Sequence, residues 1–253
     1  MKETQGFTLI ELLVVVAIIA LLSAVLFPVM ASARESAKKT ASISNLRQIS
    51  VAWQMYNGDY DDTIMRVRIP GDGKDYYWWG SWDGVRLDER EGLLFPYMNN
   101  KGVQADPSFD DTLREAIGFT GYGYNYAYLS PSRYEPPTWE EIPVRVILSQ
   151  IRDVSQTIAF ATCARINNWA YSRPTLEGNA YLEPPSSNYP TFHARANGVG
   201  VIVWCDSHVT VTRPAYRSGS FGYGFEAEDF LREHLGDIDE DGSFSTDELF
   251  DLN

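Results

Sequence analysis

The sequence predicts an α+β protein: a long N-terminal helix, half of membrane character and half amphipathic, packed on an antiparallel β-sheet domain with long loops. Three observations predict it. Gly6 to Met30 reads GFTLIELLVVVAIIALLSAVLFPVM, and from Phe7 onward it is apolar except for small hydroxyl residues and one carboxylate. Leu46, Ile49, Trp53 and Tyr56 then recur at three- and four-residue intervals, the stripe of a helix docking on a domain. From Asp59 to about Gly224, glycine, proline, asparagine and aromatic residues break the chain into short pieces, as antiparallel strands joined by loops require. The expected division is a leader at 1–6, a helix at 7–58 with its membrane part at 7–30, a β domain at 59–224 and a C-terminal segment at 225–253.

At 1.5 Å per residue the first stretch covers roughly 30 Å or more of hydrocarbon, enough to span a bilayer. A secretory signal fits poorly, because the leader holds a single Lys2 and the apolar run exceeds an ordinary signal core. A plain anchor fits poorly as well: an ionised Glu11 inside hydrocarbon costs a few kcal/mol and is rarely kept without a partner. Pro28 removes one backbone hydrogen bond and crowds the preceding turn, which predicts a bend or local melting. Beyond it the helix resumes, with Arg34, Glu35, Lys38, Lys39 and Arg47 keeping its other faces wet, and Asn57-Gly58 is the expected stop. The rod would run about 50 residues, roughly 75 Å if unbroken.

The 253 residues leave room for that helix and one soluble domain of conventional size. Acidic residues outnumber basic ones 34 to 21, a formal charge of −13. Lys2 and Glu3 cancel, so losing the leader would not change it. Such a surface disfavours nucleic acid, whose binding relies on Lys and Arg displacing counterions, and suits an envelope protein or a cation binder. No enzyme is expected: the three histidines are scattered, and neither a Gly-x-Ser-x-Gly elbow nor a phosphate-cradling glycine loop is present.

The two cysteines, Cys163 and Cys205, do not make a disulfide framework. Each ends an apolar β-like run, so neighbouring strands would either bridge them or bury two thiols. Within the β domain, Tyr76-Tyr77-Trp78-Trp79-Gly80-Ser81-Trp82 is the most aromatic patch. It is read either as core or subunit contact, or as a carbohydrate platform on an anchored surface binding protein.

Asp237 to Glu248 follows the EF-hand loop spacing. Calcium takes six to eight oxygens, and the loop offers carboxylates from Asp237, Asp239 and Asp241, the carbonyl of Ser243, Ser245 directly or through water, and two oxygens of Glu248. Gly242 allows the sharp turn and Phe244 fills the apolar eighth place. Phe225 to Leu235 has the apolar spacing of an entering helix, whereas the exiting helix has room only from Leu249 to Asn253. A structural calcium site is the expectation.

Gly6-Phe7-Thr8-Leu9-Ile10-Glu11-Leu12 resembles the prepilin signature of type IV pilins and type II secretion pseudopilins. The resemblance implies that a prepilin peptidase cuts between Gly6 and Phe7, that the new N-terminal Phe7 is methylated, and that Glu11 becomes the fifth residue. In the family that carboxylate meets the N-terminal ammonium of a neighbouring subunit, which removes the cost of leaving either charge alone in a low-dielectric bundle. Pro28 would mark a region that unwinds on assembly. The implied protein is a filament subunit whose partners are itself or other pilins, starting as an inner-membrane precursor and ending in a periplasmic or extracellular filament of a bacterial envelope. The leader-inside orientation also comes from the resemblance, since Lys2 against Arg34, Lys38 and Lys39 favours the opposite one.

Ser44 to Ile49, Leu94 to Met98, Asp106-Pro107-Ser108 and Gly121 to Tyr126 resemble one large pseudopilin-like subfamily. Its tail motif is a histidine, nine residues and Asp-Gly. Aligning on Asp206 puts Ala196 at the histidine and Ser207 at the glycine, with His193 three residues early. The segment is therefore expected to be a strand ending in a turn with His208 partly exposed, which argues against a metal or catalytic role for His193, Asp206 and His208 without assigning them another. Relatives often carry a cysteine where Asp106 stands, so any bridge they form there is absent.

Overall fold

The computed structural model describes residues 8–109, 120–169, 173–222 and 224–253. Gly6 and Phe7, the expected processing pair, lie outside the described residues. The chain opens with α1 (Leu9–Asp59), one helix of 51 residues that runs through Pro28 without interruption. Thr8 caps it and Glu11 closes the box from the third position, which satisfies amide groups that the first turn leaves without helical partners. Every residue from Leu9 to Ala41 is exposed or half-buried. Burial begins at Ser42 and takes in Leu46, Ile49, Ala52, Trp53 and Tyr56, the face that the spacing predicts. At the other end Asn57 is buried and its Oδ1 accepts from the Met65 amide at 3.0 Å, turning the chain back toward the sheet.

A meander follows: β1 (Arg68–Gly71), β2 (Lys74–Tyr77), β3 (Gly80–Trp82) and β4 (Leu87–Asp88) pair in that order. The short helical turns α2 (Phe95–Met98) and α3 (Lys101–Gln104) lie against α1. Next come β5 (Tyr122–Tyr124), α4 (Tyr126–Leu129) and the hairpin of β6 (Ser132–Glu135) with β7 (Glu140–Pro143). Then β8 (Ile158–Thr162), β9 (Ala164–Asn167) and β10 (Thr175–Gly178) lead to β11 (Phe192–His193), β12 (Gly200–Trp204) and β13 (Val209–Thr212). The chain closes with β14 (Ser220–Gly222), β15 (Phe225–Glu226), α5 (Ala227–Arg232), β16 (Leu235–Gly236) and the acidic loop.

The central sheet is antiparallel with strand order β13-β12-β8-β5. Residues of β8 and β12 are buried throughout, because the sheet is covered on both faces. On one face α1 brings Leu46, Ile49 and Trp53 onto Phe160, Val201 and Val203. On the other, Phe192, Leu249 and Phe250 cover Ile158, Ala161 and Ile202. Each fully buried large apolar side chain contributes about 1.5–3 kcal/mol. Polar contacts fix the angle of docking: Trp53 Nε1 donates to Tyr124 Oη at 3.3 Å, and Tyr124 Oη donates to the Met65 carbonyl at 2.9 Å.

Two alternatives left open by the sequence are decided here. Cys163 and Cys205 are both free and buried. Cys163 follows the C-terminal end of β8, while the Cys205 amide donates to Thr157 just before the N-terminal end of that strand. Both cysteines end apolar runs, but in antiparallel neighbours two such ends fall at opposite ends of the sheet. Five strand residues separate them by roughly 17 Å, well beyond disulfide reach. The two central tryptophans of the aromatic patch form no surface platform: Trp78 and Trp79 are buried in the main core, Trp78 edge-on to Phe160 at 5.4 Å, while Tyr76, Tyr77 and Trp82 are half-buried.

Candidate functional site

The first candidate is the projecting half of α1. Glu11 stands near its tip, where the Thr8 amide and hydroxyl donate to its carboxylate at 2.9 and 2.7 Å. Pro28 lies farther along the same exposed stretch. The apolar residues around both have no cover from the domain: none of the most apolar 18-residue window is buried. Surface of this kind needs lipid or protein outside the chain's own core.

The second candidate is the C-terminal acidic loop. Carboxylate oxygens of Asp239, Asp241 and Glu248 lie within 4.8 Å of one another. Gly242 turns the chain there with φ 75°, in the left-handed region that glycine enters without strain. Burial and the charges of Glu248 and Asp241 raise the pKa of Asp239, whereas the Ser243 amide and Thr246 hydroxyl lower that of Asp241. Oδ1 of Asp239, Oε2 of Glu248 and Oδ1 of Asp237 are buried without a hydrogen-bond partner. Buried acceptor oxygens with no donor fit a cation, which supplies what no protein donor does here.

Other parts of the loop depart from the EF-hand expectation. Asp237 is outside the triad and ion-paired with Arg217, its Oδ2 2.7 Å from Nε; burial nonetheless raises its pKa, against the pull of Arg217. The guanidinium also donates to Asn188 Oδ1 at 3.0 Å and lies 4.8 Å from the centre of the Phe244 ring. Ser243 and Ser245 hydroxyls bond each other at 2.6 Å. The entering helix is shorter than predicted, because α5 stops at Arg232 and His234 turns with φ 55° into β16, which pairs with β11. After Glu248 the chain is held by the sheet, with Ile158 N–H donating to Leu249 O at 2.8 Å and Asn125 Nδ2 to Phe250 O at 2.8 Å.

Two contributors escaped sequence reasoning. Arg217 precedes its partner by 20 residues and nothing in its neighbourhood signals the pairing. Asp247, inside the loop but not a predicted ligand, accepts from Tyr128 Oη at 2.6 Å and from the Ser186 amide at 2.9 Å, tying the loop to the body.

The tail-motif residues do not form one site. Asp206 and His208 pair at 2.6 Å in the turn after β12, and the His208 ring stacks on Trp204 at 5.4 Å. His193 is buried on β11, on the segment that bridges to Cys163 at the far end of β8. Ser207, at the place of the subfamily's glycine, has φ 73°.

Comparison with known proteins agrees with the exposed helix. Residues 1–27 match the family described as the prokaryotic N-terminal methylation motif. A stretch of 59 residues is 46% identical to the type IV wide pilus major component PilA4 of Thermus thermophilus, covering 23% of this chain and 45% of that protein. The match thus spans less than half of the relative's length, and no solved structure matches this chain. The motif and the apolar helix together support a membrane-anchored, envelope-associated precursor with a pilin-like N-terminus.

Proposed function

We propose that the protein is a structural subunit of a type IV pilus or type II secretion pseudopilus, processed after Gly6 and assembled with copies of itself or other pilins through α1. The observation that carries this reading is a methylation motif leading into an apolar helix that its own domain leaves uncovered. In the assembled state Glu11 would exchange its contact with Thr8 for a neighbour's Phe7 ammonium, two charges that are costly apart and tolerated together. The division at 6, 58 and 224 belongs to the same reading. Glu11→Ala should leave membrane insertion intact and abolish filaments; normal filaments from that variant would overturn the proposal. Mass spectrometry of the mature protein should find methylated Phe7 at its N-terminus, and a chain still beginning at Met1 would count equally against it.

A structural calcium ion in the loop from Asp237 to Glu248 is the second element of the reading, supported by the donorless buried oxygens of Asp237, Asp239 and Glu248. Asp239, Asp241 and Glu248 would supply the charge, Ser243 and Ser245 neutral oxygens, and Asp237 would join by sharing its carboxylate with Arg217. Calcium at about 100 times its Kd should stabilise the folded protein by about 2.7 kcal/mol. Asp239→Ala should remove that gain in melting temperature; no gain in the parent protein would retire the site.

A further inference from the structure

Beside the β6–β7 hairpin lies an open cavity of about 460 Å³, a volume within the range of small-molecule sites. Four tyrosines wall it: Tyr77 from β2, Tyr126 from α4, Tyr134 from β6 and Tyr181 from the segment after β10. In the hairpin, Ser132 pairs with Pro143 and Tyr134 with Glu141. Directly opposed residues share a face, so this register puts Ser132, Tyr134 and Glu141 together on the side that lines the cavity.

The aromatic wall is braced from behind. Tyr77 stacks on Trp79 at 4.6 Å, and Tyr181 meets Tyr126 edge-on at 5.2 Å and Trp79 at 6.2 Å. Trp79 is itself buried, edge-on to Trp78 at 5.6 Å. The aromatic run singled out in the sequence therefore does not present a tryptophan platform; it sends Tyr77 into the cavity and holds it from below. Walls ordered before a ligand arrives lower the entropy cost of binding it.

Charge and hydrogen bonding narrow the ligand. Glu141 pairs with Arg66 at 2.9 Å and with Arg68 at 2.5 Å, while Arg68 also reaches Asp75 at 3.2 Å. Among the residues that line the cavity the only charged groups are Arg68 and Glu141, and they pair with each other, so its walls hold no unpaired charge for an ionic ligand. Of the four tyrosine hydroxyls only that of Tyr126 donates to another described residue, reaching both oxygens of Glu183 at 2.9 Å. A purely apolar ligand would strip water from the other three phenols and from the ion network without replacing its hydrogen bonds. Aromatic faces with uncharged hydroxyls between them suit the C–H face and hydroxyl rim of a sugar ring.

We infer that this cleft binds a neutral saccharide unit. The site is separate from α1 and the acidic loop, so it adds an adhesive activity whose presence or failure leaves the filament reading standing. The test uses the full-length protein in a zwitterionic detergent free of sugar headgroups, with maltotriose, cellotriose and triacetylchitotriose as probes, followed by saturation-transfer NMR and calorimetry. At least one probe should bind with a Kd at or below about 1 mM, and Tyr134→Ala should weaken it by about tenfold or more. Tyr134 is 57% exposed, so that variant should keep its melting temperature. Arg133→Ala, on the opposite face of the hairpin, should bind like the parent. Failure of all three probes to bind, or undiminished binding by Tyr134→Ala, would overturn the inference. Tighter binding of trigalacturonic acid than of any neutral probe would overturn the assignment to a neutral ligand.

Discussion

Two stretches of α1 share one backbone conformation and meet opposite surroundings. Between Leu9 and Met30 the helix is apolar on every side and exposed on every side. Between Ser42 and Asn57 it is apolar on one stripe only, and that stripe is buried. A helix with a single apolar face is made for the core of its own chain, whereas one apolar all round needs an apolar medium around it. The difference teaches that the half that looks more hydrophobic is the half that contributes least to the fold.

That contrast can be broken by substitution. The largest effect is expected at Trp53, fully buried between α1 and the sheet: Trp53→Ala should cost about 3–5 kcal/mol, read as a lower denaturant midpoint of the detergent-solubilised protein. Slightly smaller is Asp106→Ala. Asp106 Oδ1 accepts from Ser42 Oγ of α1 at 3.0 Å, and Oδ2 stands 3.5 Å from the Arg195 guanidinium, both side chains being almost wholly buried. Removing the carboxylate leaves that cation buried without its partner, a loss of about 3 kcal/mol in the same measurement. At the bottom of the scale, Leu22→Ala, on the projecting half and 64% exposed, should change the domain's stability by less than about 0.5 kcal/mol. If Leu22→Ala were as damaging as Trp53→Ala, the projecting half would be folded onto the domain and the contrast would collapse.

Features encoded by local spacing were legible in the sequence. The stripe of Leu46, Ile49, Trp53 and Tyr56 and the apolar run before it need only helix periodicity, and the structure buries the first and exposes the second. The gathering of Asp239, Asp241 and Glu248 was legible too, since one tight turn at Gly242 brings them together. What lay outside sequence reasoning depends on partners far along the chain. Asp237 is held by Arg217 from the loop between β13 and β14, and Asp247 by Tyr128 and Ser186. The cleft assembles tyrosines from four separate elements, and no spacing announces such a meeting.

Periodicity and composition by themselves determined the long helix, its division into an uncovered and a docked half, and the presence of an acidic turn. These follow from backbone geometry, which repeats every few residues and so leaves its mark on the sequence. Only the tertiary structure decided that Cys163 and Cys205 stand at opposite ends of β8, that Trp78 and Trp79 face inward, and that Tyr77 reaches a cavity beside β6 and β7. Those outcomes depend on strand direction and on which face of the sheet each layer covers, quantities fixed by pairing across the whole domain.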